Sequence, residues 1–183
     1  LFNSDITSWD VSNGRFMKSM CDGASLFNQD ISNWDVDSVT SMAQMFQKAA
    51  SFDQPIGNWD VGSVQHFTRT FERATNFNQT LNSWDLSSAT STASMFHYAS
   101  SFNQDLSNWN TSSIENMSRM FFGATAFNGS IGTWDVSSVT DMYHMFREAT
   151  AFDRYIGDWD VSAVTDMTSL FFNASSFDQD LAG

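Results

Sequence analysis

Between Val39 and Ala49 the apolar side chains stand at Val39, Met42, Met45, Phe46 and Ala49. Steps of three and four place such residues on one face of a helix. Just upstream, Trp34-Asp35-Val36 alternates apolar, polar, apolar, the pattern of a very short strand with Trp and Val turned inward. Between the two, Ser38 is a good N-cap, able to accept from the free amides of a first helical turn, and Asp37 is a second candidate. Ser63, Ser88, Ser113 and Ser138 stand at the equivalent place. The predicted cycle is strand, turn, helix and return loop.

That cycle recurs without an insertion. Trp9, Trp34, Trp59, Trp84, Trp109, Trp134 and Trp159 are 25 residues apart, as are Phe2, Phe27, Phe52, Phe77, Phe102, Phe127, Phe152 and Phe177. The alanines from Ala24 to Ala174 keep the same step, and all ten methionines fall in two columns of the repeat. A fixed period of this size signals stacked units, each burying its apolar face on its neighbours. The predicted fold class is therefore α/β: a curved, leucine-rich-repeat-like solenoid of about seven 25-residue repeats, each with one short parallel strand and one helix. Residues 1–183 form one solenoid domain, read as an excerpt of a longer array because the sequence begins and stops within a repeat. Strands pack about 4.8 Å apart and helices about 8–10 Å, so the helical side should splay and the strands should line a concave face. About nine positions per repeat (Trp, Val, Val, Met, Met, Phe, Ala, Phe, Ile/Leu) point inward on this reading.

The pattern F-N-x-x-I-x-x-W-D-V-S-x-V-T-x-M-x-x-M-F-x-x-A covers nearly the whole chain, and Trp-Asp-Val/Leu recurs in six of seven units. It resembles the 25-residue repeat of BspA-like leucine-rich-repeat surface proteins, abundant in mycoplasma lipoproteins and found also in other bacteria and in protists. The resemblance implies a leucine-rich-repeat-like fold, a cell-surface location and a role in adhesion or host contact, and it carries no catalytic residues. Departures are local: Asn110-Thr111 stands for Asp-Val, Gly14 and Ala89 for the helix-start Val, and Thr70 and Thr92 for Met, loosening the core there.

Charge narrows the partners. Eight Lys and Arg against 21 Asp and Glu give a net charge near −13, which repels nucleic acid phosphates and anionic membranes. No stretch reads as a signal peptide or a membrane span. The single Cys21 stands in a column otherwise filled by Phe46, Phe71, Phe96, Phe121, Phe146 and Phe171, and reads as a buried apolar filler.

Two polar columns are candidates for function. In the first, Asn3, Asn28, Asp53, Asn78, Asn103, Asn128, Asp153 and Asp178 follow each Phe; free exchange of Asn and Asp favours a turn role, with the side chain bonding its own backbone or the residue taking a left-handed conformation, over calcium ligation. The second, Asp10, Asp35, Asp60, Asp85, Asp135 and Asp160, interrupted by Asn110, is the candidate ligand- or cation-binding strip. Like charges about 5 Å apart cost on the order of 1 kcal/mol per neighbouring pair in a water-like dielectric, so this column needs a reason. Either each Asp accepts backbone amides at a helix start, or together they form an acidic strip that collects cations or a basic partner. Ser8, Asn33, Asn58, Ser83, Asn108, Thr133 and Asp158 flank them with small polar groups suited to glycans or ions.

The remaining chemistry is thin. Phe122 and Phe172 share an otherwise polar column with Gln47 and Glu72, either as a contact patch or as scattered surface apolars. His66, His97 and His144 stand in three different columns and suggest no metal site, cofactor or triad. Asn78, Asn110, Asn116, Asn128 and Asn173 lie in N-x-S/T sequons, as expected by chance in so Asn- and Ser-rich a chain. The sequence thus predicts a non-catalytic, extracellular module for adhesion or for recognition of a glycan or protein surface, with end-to-end self-association through uncapped repeats as a further partner mode. The rival reading is a spacer, a stalk or lattice element without a ligand. A binding module should gather its unusual residues on one contiguous surface, whereas a spacer should vary without spatial pattern.

Overall fold

Half of the backbone amides in the expected helical segment bond sideways instead of along it. In the computed structural model, which describes residues 2–181, the N–H groups of Met42, Gln44, Phe46 and Lys48 donate to the carbonyls of His66, Thr68, Thr70 and Glu72 in the next repeat, at 3.1, 2.9, 2.9 and 2.7 Å. The alternate amides, Met45, Gln47 and Ala49, reach three residues back to Met42, Gln44 and Phe46 at 3.0, 3.2 and 3.0 Å. An α-helix spends its interior amides on the residue four back and has none to export. The positions 1, 182 and 183 of the single-domain reading lie outside the described residues.

The segment is therefore two consecutive β-turns, 42–45 and 46–49, and among the described residues there is no helix at all. Each turn has a positive φ at its third residue, 60° at Gln44 and 58° at Lys48, as type II turns require. The same two positions recur in every repeat, with twelve non-glycine residues held at φ between 52° and 60°. Such a conformation is closed to a right-handed helix.

Turns account for the misleading periodicity. Within one repeat the backbone closes turns at 31–34, 36–39, 42–45, 46–49 and 49–52, each by an N–H donating to the carbonyl three residues back. The ends of these turns, Ile31, Trp34, Val36, Val39, Met42, Met45, Phe46, Ala49 and Phe52, are all buried. First and fourth residues of a turn point inward, so a string of turns spaces its apolar residues by three and four just as a helix does. The nine core positions predicted per repeat are the ones found, on a different backbone.

The strand moves as well. Trp34 and Val36 are buried and Asp35 exposed, but their backbones serve the turns. Strand character is confined to isolated parallel bridges that join Phe16, Ser41, His66, Ser91, Asn116, Asp141 and Asp166 in succession. The α/β leucine-rich-repeat-like solenoid of strand and helix is thus corrected to a compact, non-regular fold of turns around a buried aromatic core. With no helical side, the premise for splaying is gone. Ring centroids advance 5.5–6.0 Å per repeat along the Phe2 to Phe177 column and 5.6–5.7 Å along the Phe46 to Phe171 column.

Each tryptophan ties two repeats together. The indole N–H of Trp34, Trp59, Trp84, Trp109, Trp134 and Trp159 donates to the carbonyl of the Ile or Leu 28 residues earlier, at 2.8–3.3 Å. A buried indole needs such a partner, and here the repeat before it supplies one. Thr70, standing where most repeats have Met, is fully buried without loss, since its hydroxyl donates to a main-chain carbonyl, with Phe67 at 2.8 Å and Met42 at 3.1 Å. Cys21 is buried in its Phe column, and burial pushes its thiol up to about 12.

The turn backbone makes a prediction opposite in sign to that of a helix. Lys48→Gly should leave the chain as stable or stabilise it by up to about 1 kcal/mol, because glycine relieves the left-handed φ; in a helix it would cost about 1 kcal/mol. Urea unfolding of the variant beside the parent decides between them.

Candidate functional site

The aspartates of the predicted strip are all exposed, and each closes a local turn. The carboxylate oxygens of Asp10, Asp35, Asp60, Asp85, Asp135 and Asp160 accept the N–H two residues on, at 2.9–3.3 Å. Asn110 does the same for Ser112 at 3.3 Å, so a neutral amide fills the place. Expected at helix starts, these bonds close Asx turns instead. Hydrogen bonds from the hydroxyls and then the amides of Ser12, Ser137 and Ser162 hold the carboxyls of Asp10, Asp135 and Asp160 below the usual range. Several flanking polar groups are also engaged: Asn58, Ser83 and Thr133 donate to the main-chain carbonyls of Ser32, Gly57 and Ser107. Among the described residues, no group of three or more His, Cys, Asp or Glu side chains converges to hold a metal ion.

The Asx column after each Phe is a ladder between repeats. The side-chain oxygens of Asn3, Asn28, Asp53, Asn78, Asn103, Asn128 and Asp153 each accept the backbone N–H of the Asx residue 25 positions later, at 2.8–3.1 Å. The partner is the neighbour's backbone, where the residue's own was expected. Only an acceptor oxygen is required, which explains why Asn and Asp interchange.

A different constellation lies on the two turns that replace the helix. The second and third residues of each turn point away from the core, and in the second turn the second residue is Gln47, Glu72, His97, Phe122, Arg147 and Phe172 in successive repeats. These six unlike side chains touch in sequence. Gln47 Nε2 donates to Glu72 Oε2 at 2.7 Å, and His97 Nδ1 stands 3.4 Å from Glu72 Oε1. The His97 ring lies 4.9 Å from that of Phe122, and the Arg147 guanidinium is held between the rings of Phe122 and Phe172 at 5.4 and 4.4 Å. Beside this column, Arg73 covers the ring of Tyr98 at 5.0 Å and Arg119 that of Tyr143 at 4.9 Å. His144 stacks on Tyr143 at 3.7 Å and meets Phe122 edge-on. The Tyr98 ring fills the space a Cβ on Gly123 would occupy, and Gly123 has a φ of +66°.

Electrostatics set this face apart. The outward turn positions carry six of the eight cations (Lys18, Lys48, Arg69, Arg73, Arg119, Arg147) but only three acids, Asp22, Glu72 and Glu148. Outside them, two cations, Arg15 and Arg154, stand against eighteen acids. Burial, opposed by bonds and charges from His97, Arg69 and Gln47, leaves the Glu72 carboxyl below its ordinary value. Burial, with the cations of Arg147 and Arg119, lowers His144 below its ordinary value too. His97 Nε2 and His144 Nδ1 are buried without a hydrogen-bond partner.

Sequence reasoning singled out Phe122 and Phe172 but passed over their neighbours. The histidines did not group by column, yet the structure brings His97 and His144 to opposite sides of Phe122, while His66 stays apart in the bridge column. Reading the polar column from one repeat to the next, as a stack, is the signal that would have found them. A family model described as "Mycoplasma protein of unknown function, DUF285" matches residues 1–109 and again 90–183. No curated protein and no solved structure matches the chain.

Two outcomes follow from this geometry. Asp85→Asn should change stability by less than about 0.5 kcal/mol and Asp85→Ala should cost about 1 kcal/mol, since only the second loses the acceptor for the Ser87 amide; chemical denaturation measures both. Folding favours the ionised form of Glu72, so its contribution is complete above the ordinary glutamate value of 4.5 and is lost as pH falls through the depressed folded value. Thermal midpoints between pH 7 and pH 3 should therefore fall less steeply for Glu72→Gln than for the parent.

Proposed function

Taking as premise that the chain belongs to the DUF285 family of mycoplasma proteins, we propose that it is a non-catalytic recognition module, displayed at the cell surface, that binds a glycan or protein surface through its turn face. The observation that carries this reading is where the sequence varies. The inner columns each keep one predominant residue type with few departures, and the Asx and Asp columns are held by bonds to backbone amides. Against that uniform frame, most of the arginines, two of the three tyrosines and two of the three histidines gather on the outward turn positions. Arg and Tyr are the residues that dominate binding hot spots, because they offer large contact area and fixed hydrogen-bond geometry. A spacer would scatter such residues around the coil.

The proposed site is thus moved from the aspartate strip to the turn face. Resemblance of the repeat to BspA-like surface proteins supports the location and the adhesive role. Glycan arrays and cell-adhesion assays with two variants test it. A chain carrying Arg73→Ser, Arg119→Ser and Tyr143→Ser should lose binding about tenfold or more, each tenfold step being 1.4 kcal/mol. One carrying Asp35→Asn, Asp60→Asn and Asp85→Asn should keep it. Loss in the aspartate variant alone would return the site to the acidic strip, and absence of binding on every surface would leave the spacer reading.

A further inference from the structure

The turn face differs from the rest of the molecule in the sign of its charge, and its cations are arranged lengthwise. Arg69 and Arg73 stand in one repeat, Arg119 two repeats further on and Arg147 in the next. Two repeats are about 10 Å at strand-like spacing. Arg73 and Arg119 stand over tyrosine rings, at 5.0 and 4.9 Å from the centroids of Tyr98 and Tyr143, contacts that hold each guanidinium in place. Among the described residues no carboxylate lies within ion-pairing distance of Arg119. Preorganised guanidinium groups suit the oxygens of sulfate or carboxylate groups, which accept two parallel hydrogen bonds.

We infer that the turn face binds a narrow, linear anionic glycan, sulfated or carboxylated, that runs across the repeats from Arg73 past Arg119 to Arg147. This rests on the recognition reading and names its ligand class. Charge weighs against duplex nucleic acid and anionic membranes, whose broad surfaces would also face the eighteen acids outside the turn positions. Backbone chemistry decides against an extended acidic peptide added as a strand. Along the stack the first and third amides of each turn donate to the next repeat and the fourth donates within the turn, while those of Ala93, Ser118, Tyr143 and Thr168 donate to the side chain two residues back, so an added strand would find no continuous donor row. A ligand must then be read by side chains, as stacked rings and fixed guanidinium groups can read a charged sugar chain.

The test measures binding of the parent chain to four probes of similar length: a heparin oligosaccharide, a desulfated and N-acetylated heparin whose uronic carboxyls are also reduced so that it carries no charge, a hyaluronan oligosaccharide and poly-glutamate. Heparin or hyaluronan should bind, desulfated heparin at least tenfold more weakly than heparin, and poly-glutamate weakest. The double variant Arg73→Gln/Arg119→Gln should weaken the anionic glycan at least tenfold with an unchanged unfolding midpoint, whereas Arg15→Gln, outside the turn face, should not. Equal affinity for desulfated heparin, unimpaired binding by the double variant, or preference for poly-glutamate would overturn the inference. Should neutral glycans bind and depend on Tyr98 and Tyr143, the recognition reading stands without the anionic ligand; should no probe or array surface bind, both fall.

Discussion

The structure depends on one constraint: alternate backbone amides of each repeat are bonded to the carbonyls of the next. Main-chain groups buried without partners are costly, and a repeat made of turns cannot satisfy all of them within itself. Export to the neighbour solves this for Met42, Gln44, Phe46 and Lys48, and the same four positions do so in the six repeats from Met17 to Glu148. Because the exporting rung repeats every 25 residues, one inserted residue would break register across the whole stack. The absence of any insertion along the sequence is the consequence of that rung.

The backbone accepts strain to keep it. Holding a non-glycine residue in the left-handed region costs roughly 1–2 kcal/mol, and the described chain does so twelve times. What compensates is burial on both sides of each unit. Phe46 stacks on Phe52 at 4.0 Å within its repeat and on Phe71 at 5.6 Å in the next, and Trp134 lies between Trp109 and Trp159 at 5.9 and 6.2 Å. Trp9, in the first described repeat, is 53% exposed, whereas Trp84, packed between two repeats, is 1% exposed. Stability thus resides between repeats more than within any one of them.

The same geometry separates the residues that must stay constant from those free to differ. First and fourth turn residues are core, and the Asx and Asp columns are held by the amides they accept. Second and third residues of the two outward turns answer to neither demand. That is where Gln47, Glu72, His97, Phe122, Arg147 and Phe172 form a continuous column of unlike groups, and where the molecule's positive charge collects. Asp10 to Asp160, the more regular feature, share one local bond, each accepting the amide two residues on.

The sequence by itself determined the period, the register and the set of buried positions, because hydrophobic burial follows residue type and the 25-residue spacing of Trp, Phe and Met admits one alignment. It also favoured an acceptor role for the Asx column, where Asn and Asp interchange, and left the aspartate column open between accepting amides and forming an acidic strip. It could not decide the backbone. Steps of three and four are shared by a helix face and by the ends of successive turns, and the choice between them rests on whether an amide bonds along its own chain or across to the next repeat. Nor could it assemble the turn-face site, for His97, Phe122, His144 and Arg147 become neighbours only when repeats lie on one another, and side chains from different columns meet there because both turns face the same way.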